Sequence, residues 1–278
     1  MSFPVQNSQS HDRRLHDDRP LVQQLLNKVP EVTLYFWIIK ILCTTVGETG
    51  ADFLRTKLNF GLTNTTLIVG ALLVVVLFFQ FKIQRYVPSV YWTAVVLLSI
   101  VGTLITDNLT DNFGVALLTT TIDFSIALAV IFAAWYISEK TLSIHTIFTR
   151  RRETFYWFAI LFTFALGTAA GDLVAEKYQL GYLLSAVMFG SVIAAVTVAH
   201  LRFRLNAILA FWIAYILTRP LGASIGDFLS QPRSVGGLGL GTVITSAIFL
   251  ATILSIVVYM SREPAGESDG EDSEERSA

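Results

Sequence analysis

The chain has few of the residues that build redox and metal centres. It contains one cysteine, Cys43, and four histidines among 278 residues. A single cysteine cannot form an internal disulfide or a thiolate metal cluster, and Cys43 lies in an apolar run, where we interpret it as a packing residue. The sequence also lacks a Ser-His-Asp grouping, HExxH, CxxC and a phosphate loop. We therefore predict no enzymatic activity and no cofactor; a hydrolase, the third-ranked hypothesis, would have to be built from aspartates alone.

Charge is scarce as well. Charged residues make up 15% of the chain and hydrophobic residues 53%, and the mean hydropathy is +0.59. This composition is typical of a polytopic membrane protein whose solvent is the lipid bilayer. The basic residues are scattered, so nothing in the sequence supports nucleic-acid binding.

Polar residues concentrate at the two ends. Residues 1–30 are charged and have no apolar core, which excludes an ordinary cleavable signal peptide and predicts a polar cytoplasmic tail. Residues 261–278 are rich in acid and predict a disordered tail, with an acidic docking tail as the alternative. The residues between them, 31–260, form the predicted transmembrane domain.

That domain has room for eight membrane-spanning helices, since a hydrocarbon core of about 30 Å needs roughly 20 helical residues per crossing. Lys and Arg collect on one side of the predicted bundle, which places both termini in the cytoplasm. The predicted spans are Thr33–Phe53, Thr63–Phe81, Val90–Leu109, Val115–Ile137, Thr154–Ala175, Leu180–Ala199, Ala207–Leu229 and Leu240–Met260.

Four segments of the chain align without gaps. Each has a Trp, a Gly ten residues later and an Asp five residues after that. The segments are YFWIIKILCTTVGETGADF (35–53), VYWTAVVLLSIVGTLITDN (90–108), FYWFAILFTFALGTAAGDL (155–173) and AFWIAYILTRPLGASIGDF (210–228). The chain is therefore predicted to be a tandem of four helical hairpins.

Each hairpin contains two spans, so the four repeats share one orientation. The predicted fold is an all-α integral membrane protein of eight helices, arranged as four two-helix repeats about an axis normal to the membrane. The approximate repeat boundaries are 31–88, 89–150, 151–205 and 206–260.

These repeats, and TTVGETGADF (44–53) above all, resemble a bacterial family of multi-spanning membrane proteins built from a short repeat of unknown function and described as predicted membrane-anchored proteins. The resemblance covers residues 29 to about 260. It implies the fold and a location in the bacterial inner (cytoplasmic) membrane, but no activity. Its most specific element, Gly47-Glu48 followed by Asp52, is complete in the first repeat only. The other repeats replace Glu48 by Thr103, Thr168 and Ala223. The acidic signatures are also similar to those of small cation transporters made of duplicated hairpins.

A polar ridge follows one face of the first predicted helix, because polar residues recur there at every fourth position. Its members are Lys40, Thr44, Glu48 and Asp52. The other odd-numbered helices carry matching ridges at Thr103, Asp107 and Asp111, at Thr168, Asp172 and Glu176, and at Arg219, Ala223 and Asp227. An ionised side chain in hydrocarbon costs at least about 2.5 kcal/mol, so we expect these groups to face the bundle interior or a water-filled cavity.

Equivalent residues of the four repeats share a depth, so the repeat aspartates are predicted to ring the outer half of the bundle. They are Asp52, Asp107, Asp172 and Asp227. Asp123, on the fourth helix, is predicted to lie near the midplane as the deepest carboxylate. The structural alternative is that these acids only reach interfacial water and persist through duplication, which explains Glu48 and Asp123 less well.

Two buried cations are predicted to compensate the acids. We expect Lys40 to bridge toward Glu48 and Arg219 toward an acid of a neighbouring repeat, either as ion pairs or as gating groups. The repeated glycines favour close helix packing over ligand binding. His200, at the end of the sixth span, is interpreted as an interface residue, with a proton relay as the alternative.

The predicted cation site unites these groups. Its acids are Glu48, Asp52, Asp107, Asp123, Asp172 and Asp227, and all but Asp123 are predicted metal ligands; the supporting residues are Thr44, Thr45, Thr106, Asn108, Lys40 and Arg219. Carboxylate, hydroxyl and amide oxygens suit hard ions such as Mn, Mg or Ca. Closely spaced acids also share protons, so metal entry can displace them. The sequence thus predicts a divalent-cation transporter, with proton-coupled export, whose partners are lipid, cations and protons. The second hypothesis is a non-transporting membrane anchor or sensor with structural acids.

Overall fold

The computed structural model describes residues 27–56 and 61–262, and in these ranges the chain forms helices and connecting loops without a strand. The eight predicted helices are confirmed, with ends that differ by a few residues. They are α1 (Leu34–Thr56), α2 (Leu62–Lys82), α3 (Pro88–Asp107), α4 (Leu117–Glu139), α5 (Arg150–Asp172), α6 (Tyr182–Phe203), α7 (Ala207–Ser230) and α8 (Thr242–Arg262). Single π-helical turns extend α3 through Asn108–Asn112 and α5 through Leu173–Lys177.

Seven of the eight helices in the described ranges are long and apolar enough to cross a membrane. The exception is α1, which carries Lys40, Glu48 and Asp52 within its middle and later turns. Seven long apolar helices indicate a multi-pass membrane protein. Because α1 carries these charges within the span, its polar face must be surrounded by protein rather than by lipid.

The helices form two concentric layers. The first helix of each repeat, α1, α3, α5 and α7, packs against the first helix of the next repeat, and α7 packs against α1 to close an inner ring. Each second helix packs outside the inner helix of the following repeat: α2 on α3, α4 on α5, α6 on α7, and α8 on α1. Between 56% and 72% of the apolar segment is buried in α3, α5 and α7, against 11% to 22% in the outer helices.

The repeat glycines set the spacing of the inner ring. A Cβ atom added to any of the four would overlap a side chain of the next repeat, so only glycine lets the helices approach this closely. The contacts are Gly47 with Ser99, Gly102 with Phe164, Gly167 with Arg219, and Gly222 with Thr44. The four contacted residues are themselves equivalent, since each lies seven residues after a repeat Trp. The same contact therefore recurs four times around one axis, and the packing role expected of the glycines is confirmed.

The substitution Gly222→Ala should destabilise the closure of the ring. The new methyl group would overlap the Thr44 side chain and approach the Ile41 carbonyl, and overpacking of this kind costs about 1–3 kcal/mol. Gly70→Ala on α2 is the matched control, because a Cβ there meets nothing within 4 Å. Its expected effect is a gain of up to about 1 kcal/mol from helix propensity. Thermal unfolding of the purified variants in detergent measures both, and equal effects at the two sites would contradict the close approach.

The described part of the N-terminal segment belongs to the packed bundle. Asn27 to Pro30 are buried, and the Lys28 ammonium donates to Glu153 Oε2 at 2.7 Å and to the Phe81 carbonyl at 3.3 Å. The predicted polar tail, residues 1–30, therefore includes four residues that belong to the bundle. Lys28 is buried because the buried Glu153 carboxylate requires a cationic partner. Residues 1–26 and 263–278, the rest of the two predicted tails, lie outside the described residues.

Candidate functional site

The inner faces of α1, α3, α5 and α7 carry the charged residues in successive levels. Equivalent positions lie three, seven, eleven and fifteen residues after each repeat Trp. Because successive levels are four residues apart, each lies one helical turn, about 6 Å, beyond the last. Lys40 is at the first level, Arg219 at the second, Glu48 at the third and the repeat aspartates at the fourth.

Arg219 joins all four repeats. Its side chain is fully buried, and its Nη2 donates to Glu48 Oε2 at 2.8 Å, to Thr168 Oγ1 at 2.7 Å and to Thr103 Oγ1. Its Nη1 donates to the Thr44 carbonyl at 3.2 Å. Glu48 and Thr44 come from the first repeat, Thr103 from the second and Thr168 from the third. The expectation that Arg219 reaches an acid of another repeat agrees with this geometry; Thr103 and Thr168 as its acceptors were not among the predicted site residues.

Lys40 does not bridge to Glu48, contrary to the sequence-based expectation. Its ammonium donates to Thr218 Oγ1 at 3.3 Å and lies over the rings of Phe164, at 4.3 Å, and Tyr215, at 4.2 Å. The reason is distance, since eight residues of helix separate Lys40 from Glu48 by about 12 Å. Arg219, at the level between them, reaches the carboxylate instead.

The four repeat aspartates lie at equivalent positions on the four inner helices, and we call them the acidic ring. Only 15% of the Asp52 side chain, 14% of the Asp107 side chain and 7% of Asp227 are exposed, and Asp172 is half-buried. Glu48 repels Asp52, Asp107, Asp172 and Asp227 electrostatically, and Asp172 and Asp227 repel one another. The acids predicted to lie at one level are therefore close enough to affect one another electrostatically.

Arg55 compensates one side of the acidic ring. Its guanidinium lies 3.3 Å from Asp52 Oδ1, 3.6 Å from Asp107 Oδ2 and 2.8 Å from Asp111 Oδ2. No ion pair within 4.0 Å joins Asp172 or Asp227 to a cation of the described residues. Arg55 was not a predicted site residue, although its position three residues after Asp52 places it on the same helical ridge.

Asp123 does not join the acidic ring. It is exposed on the outer face of α4, between Ile122 and Ile126, which are 49% and 58% exposed. It lies six residues into α4, or about 9 Å along the helix axis. Glu48, eight residues before the end of α1, is deeper by the same measure. The reason is that α4 is an outer helix, whose buried side faces α5 and not the axis.

The predicted supporting hydroxyls serve helix packing. Thr44 Oγ1 donates to the carbonyls of Ile41 and Thr218, and Thr106 Oγ1 donates to those of Gly102 and Ala165. Thr45 Oγ1 donates to the Ile41 carbonyl, and the Asn108 side-chain amide donates to the Leu104 carbonyl and to Thr66 Oγ1.

His200 is exposed at the end of α6 with its Nδ1 2.8 Å from the Leu205 carbonyl, a geometry that favours the interface interpretation.

Within residues 27–56 and 61–262, no three His, Cys, Asp or Glu side chains are close enough together to hold one metal ion. The carboxylates are instead distributed around the axis on four helices, with Arg55 among them. The arrangement can attract and hold a cation electrostatically. A cation with several carboxylate ligands would require the acids to move toward one another.

Fold and site together define a multi-pass, all-α repeat protein with a charged centre. The chain belongs to the family described as Repeat of Unknown Function (DUF347), whose model matches residues 35–86, 90–141, 155–206 and 210–263. The resemblance expected from the sequence is thus confirmed. No curated protein and no solved structure matches the chain.

Proposed function

We propose that the protein is a membrane transporter for cations and that the acidic ring is its binding site. The observation that carries this proposal is that four equivalent and mostly buried carboxylates, one from each repeat, all interact electrostatically with Glu48. Intramembrane acids that face a bundle interior typically mark ion pathways. Relative motion of the repeats would open and close a site that takes one carboxylate from each of them.

The charge balance at the site favours a cation. Five acids, Glu48 and the acidic ring, stand against two cations, Arg55 and Arg219, which leaves a net charge of about −3 when all are ionised. Glu48 is already paired with Arg219. The excess negative charge therefore lies around Asp172 and Asp227, and a positive guest would relieve their repulsion.

The finer proposal is a divalent metal of the Mn, Mg or Ca type, exported in exchange for protons. Carboxylate oxygens are the ligands that such ions prefer. Because the carboxylates are spread around the axis, several would have to converge on a divalent ion, and Asp107 would have to leave Arg55. Acids that carry shared protons would release them as the ion enters, and this release provides the coupling.

Arg219 supplies a barrier beneath this site. Its guanidinium fills the axis at the level between the acidic ring and Lys40, with hydrogen bonds to three other repeats. A cation that moves beyond the acidic ring would meet this buried positive charge. Transport would then require the Arg219–Glu48 pair to open, so the pair acts as the gate.

Proteoliposomes test the proposal. We expect Mn²⁺ uptake above the rate of protein-free liposomes, competition by Mg²⁺ or Ca²⁺, and acceleration by an opposing pH gradient. If the flux of Mn²⁺, Mg²⁺, Ca²⁺, Na⁺ and K⁺ equalled that of protein-free liposomes, the transporter proposal would be wrong, and a membrane anchor or sensor would be favoured. Cation flux that does not depend on the pH gradient would contradict the proton coupling but not the cation transport.

Replacing Arg55 should tighten cation binding. Arg55→Gln removes the charge that competes for Asp52 and Asp107, and a partly exposed pair of this kind is worth up to about 1 kcal/mol, or roughly fivefold in affinity. Arg233→Gln is the control, because Arg233 is exposed in the loop after α7 at the same end of the bundle. Mn²⁺ titration followed by electron paramagnetic resonance measures both affinities; weaker binding by Arg55→Gln would contradict the competition.

A further inference from the structure

A cavity lies away from the acidic ring. It has a volume of about 500 Å³ and is bounded by α1, α6, α7 and the loop after α4. Its walls are mainly apolar and include Trp37, Val196 and Phe211, with His145 and His200 also in the lining. On α7 the lining extends from Ala207 to Thr218, so the cavity follows this helix for three turns toward the bundle centre.

Thr218, at the inner end of this lining, separates the cavity from a buried cation. The Thr218 hydroxyl accepts the hydrogen bond from Lys40 Nζ at 3.3 Å and donates to the Tyr215 carbonyl at 2.7 Å. Lys40 is fully buried. Trp37 and Ile41, its neighbours on α1, line the cavity themselves. The Lys40 ammonium thus lies directly behind Thr218 in the cavity wall, at the end of a flexible four-carbon side chain.

Lys40 lacks a counter-ion in the part of the chain that the structure describes. The ion pairs found there within 4.0 Å involve Lys28 and four arginines, and Lys40 is not among them. Besides Thr218, its ammonium lies over the faces of Phe164 and Tyr215. Aromatic faces stabilise an ammonium, but they leave its charge uncompensated, and an uncompensated charge in a low-dielectric interior is costly. An anion at the inner end of the cavity would remove this cost.

We propose that the cavity binds an amphipathic monocarboxylate of the fatty-acid class, with its carboxylate on Lys40 beside Thr218 and its alkyl chain along the apolar walls. A volume of about 500 Å³ is within the usual range for small-molecule sites. The Lys40 ammonium would donate to the carboxylate, and the Thr218 hydroxyl would join it by turning its proton away from the Tyr215 carbonyl. A phosphate head group would need more donors than these two, and such sites typically use arginine.

A ligand in this cavity would contact both the first and the fourth repeat. Lys40 belongs to the first repeat and Thr218 to the fourth, and these repeats meet where the inner ring closes. A carboxylate on Lys40 with its chain against α7 would hold α1 and α7 together at this seam. The inference goes beyond the proposed cation transport, because the cavity and the acidic ring share no residue.

Binding of two matched ligands tests the proposal. ω-Bromododecanoate and ω-bromododecanol share a chain and differ in the charged head group, and bromine quenches the fluorescence of Trp37 in the cavity wall. We expect the wild type in maltoside detergent to bind the carboxylate about tenfold more tightly than the alcohol, because a charge-assisted hydrogen bond is made only by the acid. In Lys40→Met this preference should vanish, and in Ala214→Phe, which fills the cavity, both ligands should bind more weakly.

Three results would overturn the proposal. The first is equal affinity of the wild type for the two ligands. The second is a carboxylate preference that survives Lys40→Met, and the third is a preference that is lost in His200→Leu, which would place the head group at the histidine instead. If Lys40→Met does not fold, the wild-type comparison together with Ala214→Phe decides, since the proposal requires both the preference and its loss on filling the cavity.

Discussion

Replacing Arg219 by methionine is expected to lower the free energy of unfolding by about 3–5 kcal/mol, the usual loss when one member of a buried ion pair is removed. The substitution leaves Glu48, itself only 7% exposed, without its cation. It also removes the donor to Thr168 Oγ1, to Thr103 Oγ1 and to the Thr44 carbonyl. Since these groups come from three different repeats, the loss should weaken every interface of the inner ring together.

The double variant Arg219→Met with Glu48→Gln separates charge from packing. It removes the stranded carboxylate, so it should be more stable than Arg219→Met alone, and the effects of the two substitutions should depart from additivity by about 1–3 kcal/mol. Arg55→Gln is the matched control, because the Arg55 side chain is 31% exposed and its pairs should contribute about 1 kcal/mol or less. Unfolding is followed by helical circular dichroism in detergent. Equal losses for Arg219→Met and Arg55→Gln would contradict the central position of Arg219.

Neutralising two members of the acidic ring is expected to weaken cation binding by at least about tenfold. Asp172→Asn with Asp227→Asn removes the two ring acids that have no cation within 4.0 Å in the described residues. The same change removes their mutual repulsion, so stability should stay equal or rise. Loss of binding without loss of stability is the combination that a structural role would not produce.

Asp123→Asn is the control for this double variant. Asp123 is a carboxylate of the same membrane domain, but it is exposed on α4 and separate from the acidic ring. Its neutralisation should leave Mn²⁺ affinity and flux unchanged. If Asp123→Asn abolished flux while the double variant retained it, the path of the ion would lie outside the inner ring.

The sequence predicts the architecture because duplication repeats the same residue pattern four times. Trp37, Gly47 and Asp52 recur three more times at the same spacing, and this recurrence fixes both the helix register and the equivalence of the four depths. The eight helices and the packing role of the glycines follow from that register, and the structure agrees on both. The family match over the four repeats supports the same division of the chain.

The partners of individual charges are harder to predict, because helical periodicity gives a face and a level but not the neighbouring helix. Lys40 and Glu48 share one ridge, yet two turns separate them and Arg219 of the fourth repeat pairs with Glu48. Arg55 shares the ridge too, but its contacts with Asp107 and Asp111 depend on how α1 meets α3. Asp123 was misplaced for a related reason: periodicity does not show that α4 lies in the outer layer, where its buried side faces α5.

We expect four equivalent carboxylates to surround one cation on the axis of the inner ring. Anomalous diffraction from crystals grown with Mn²⁺ measures this directly. The expected result is an anomalous peak on the axis, with Asp172 and Asp227 among the ligands of the ion and Asp107 moved away from Arg55. A map with Mn²⁺ bound elsewhere and no peak between these carboxylates, or with their side chains turned to the outside of the bundle, would contradict it.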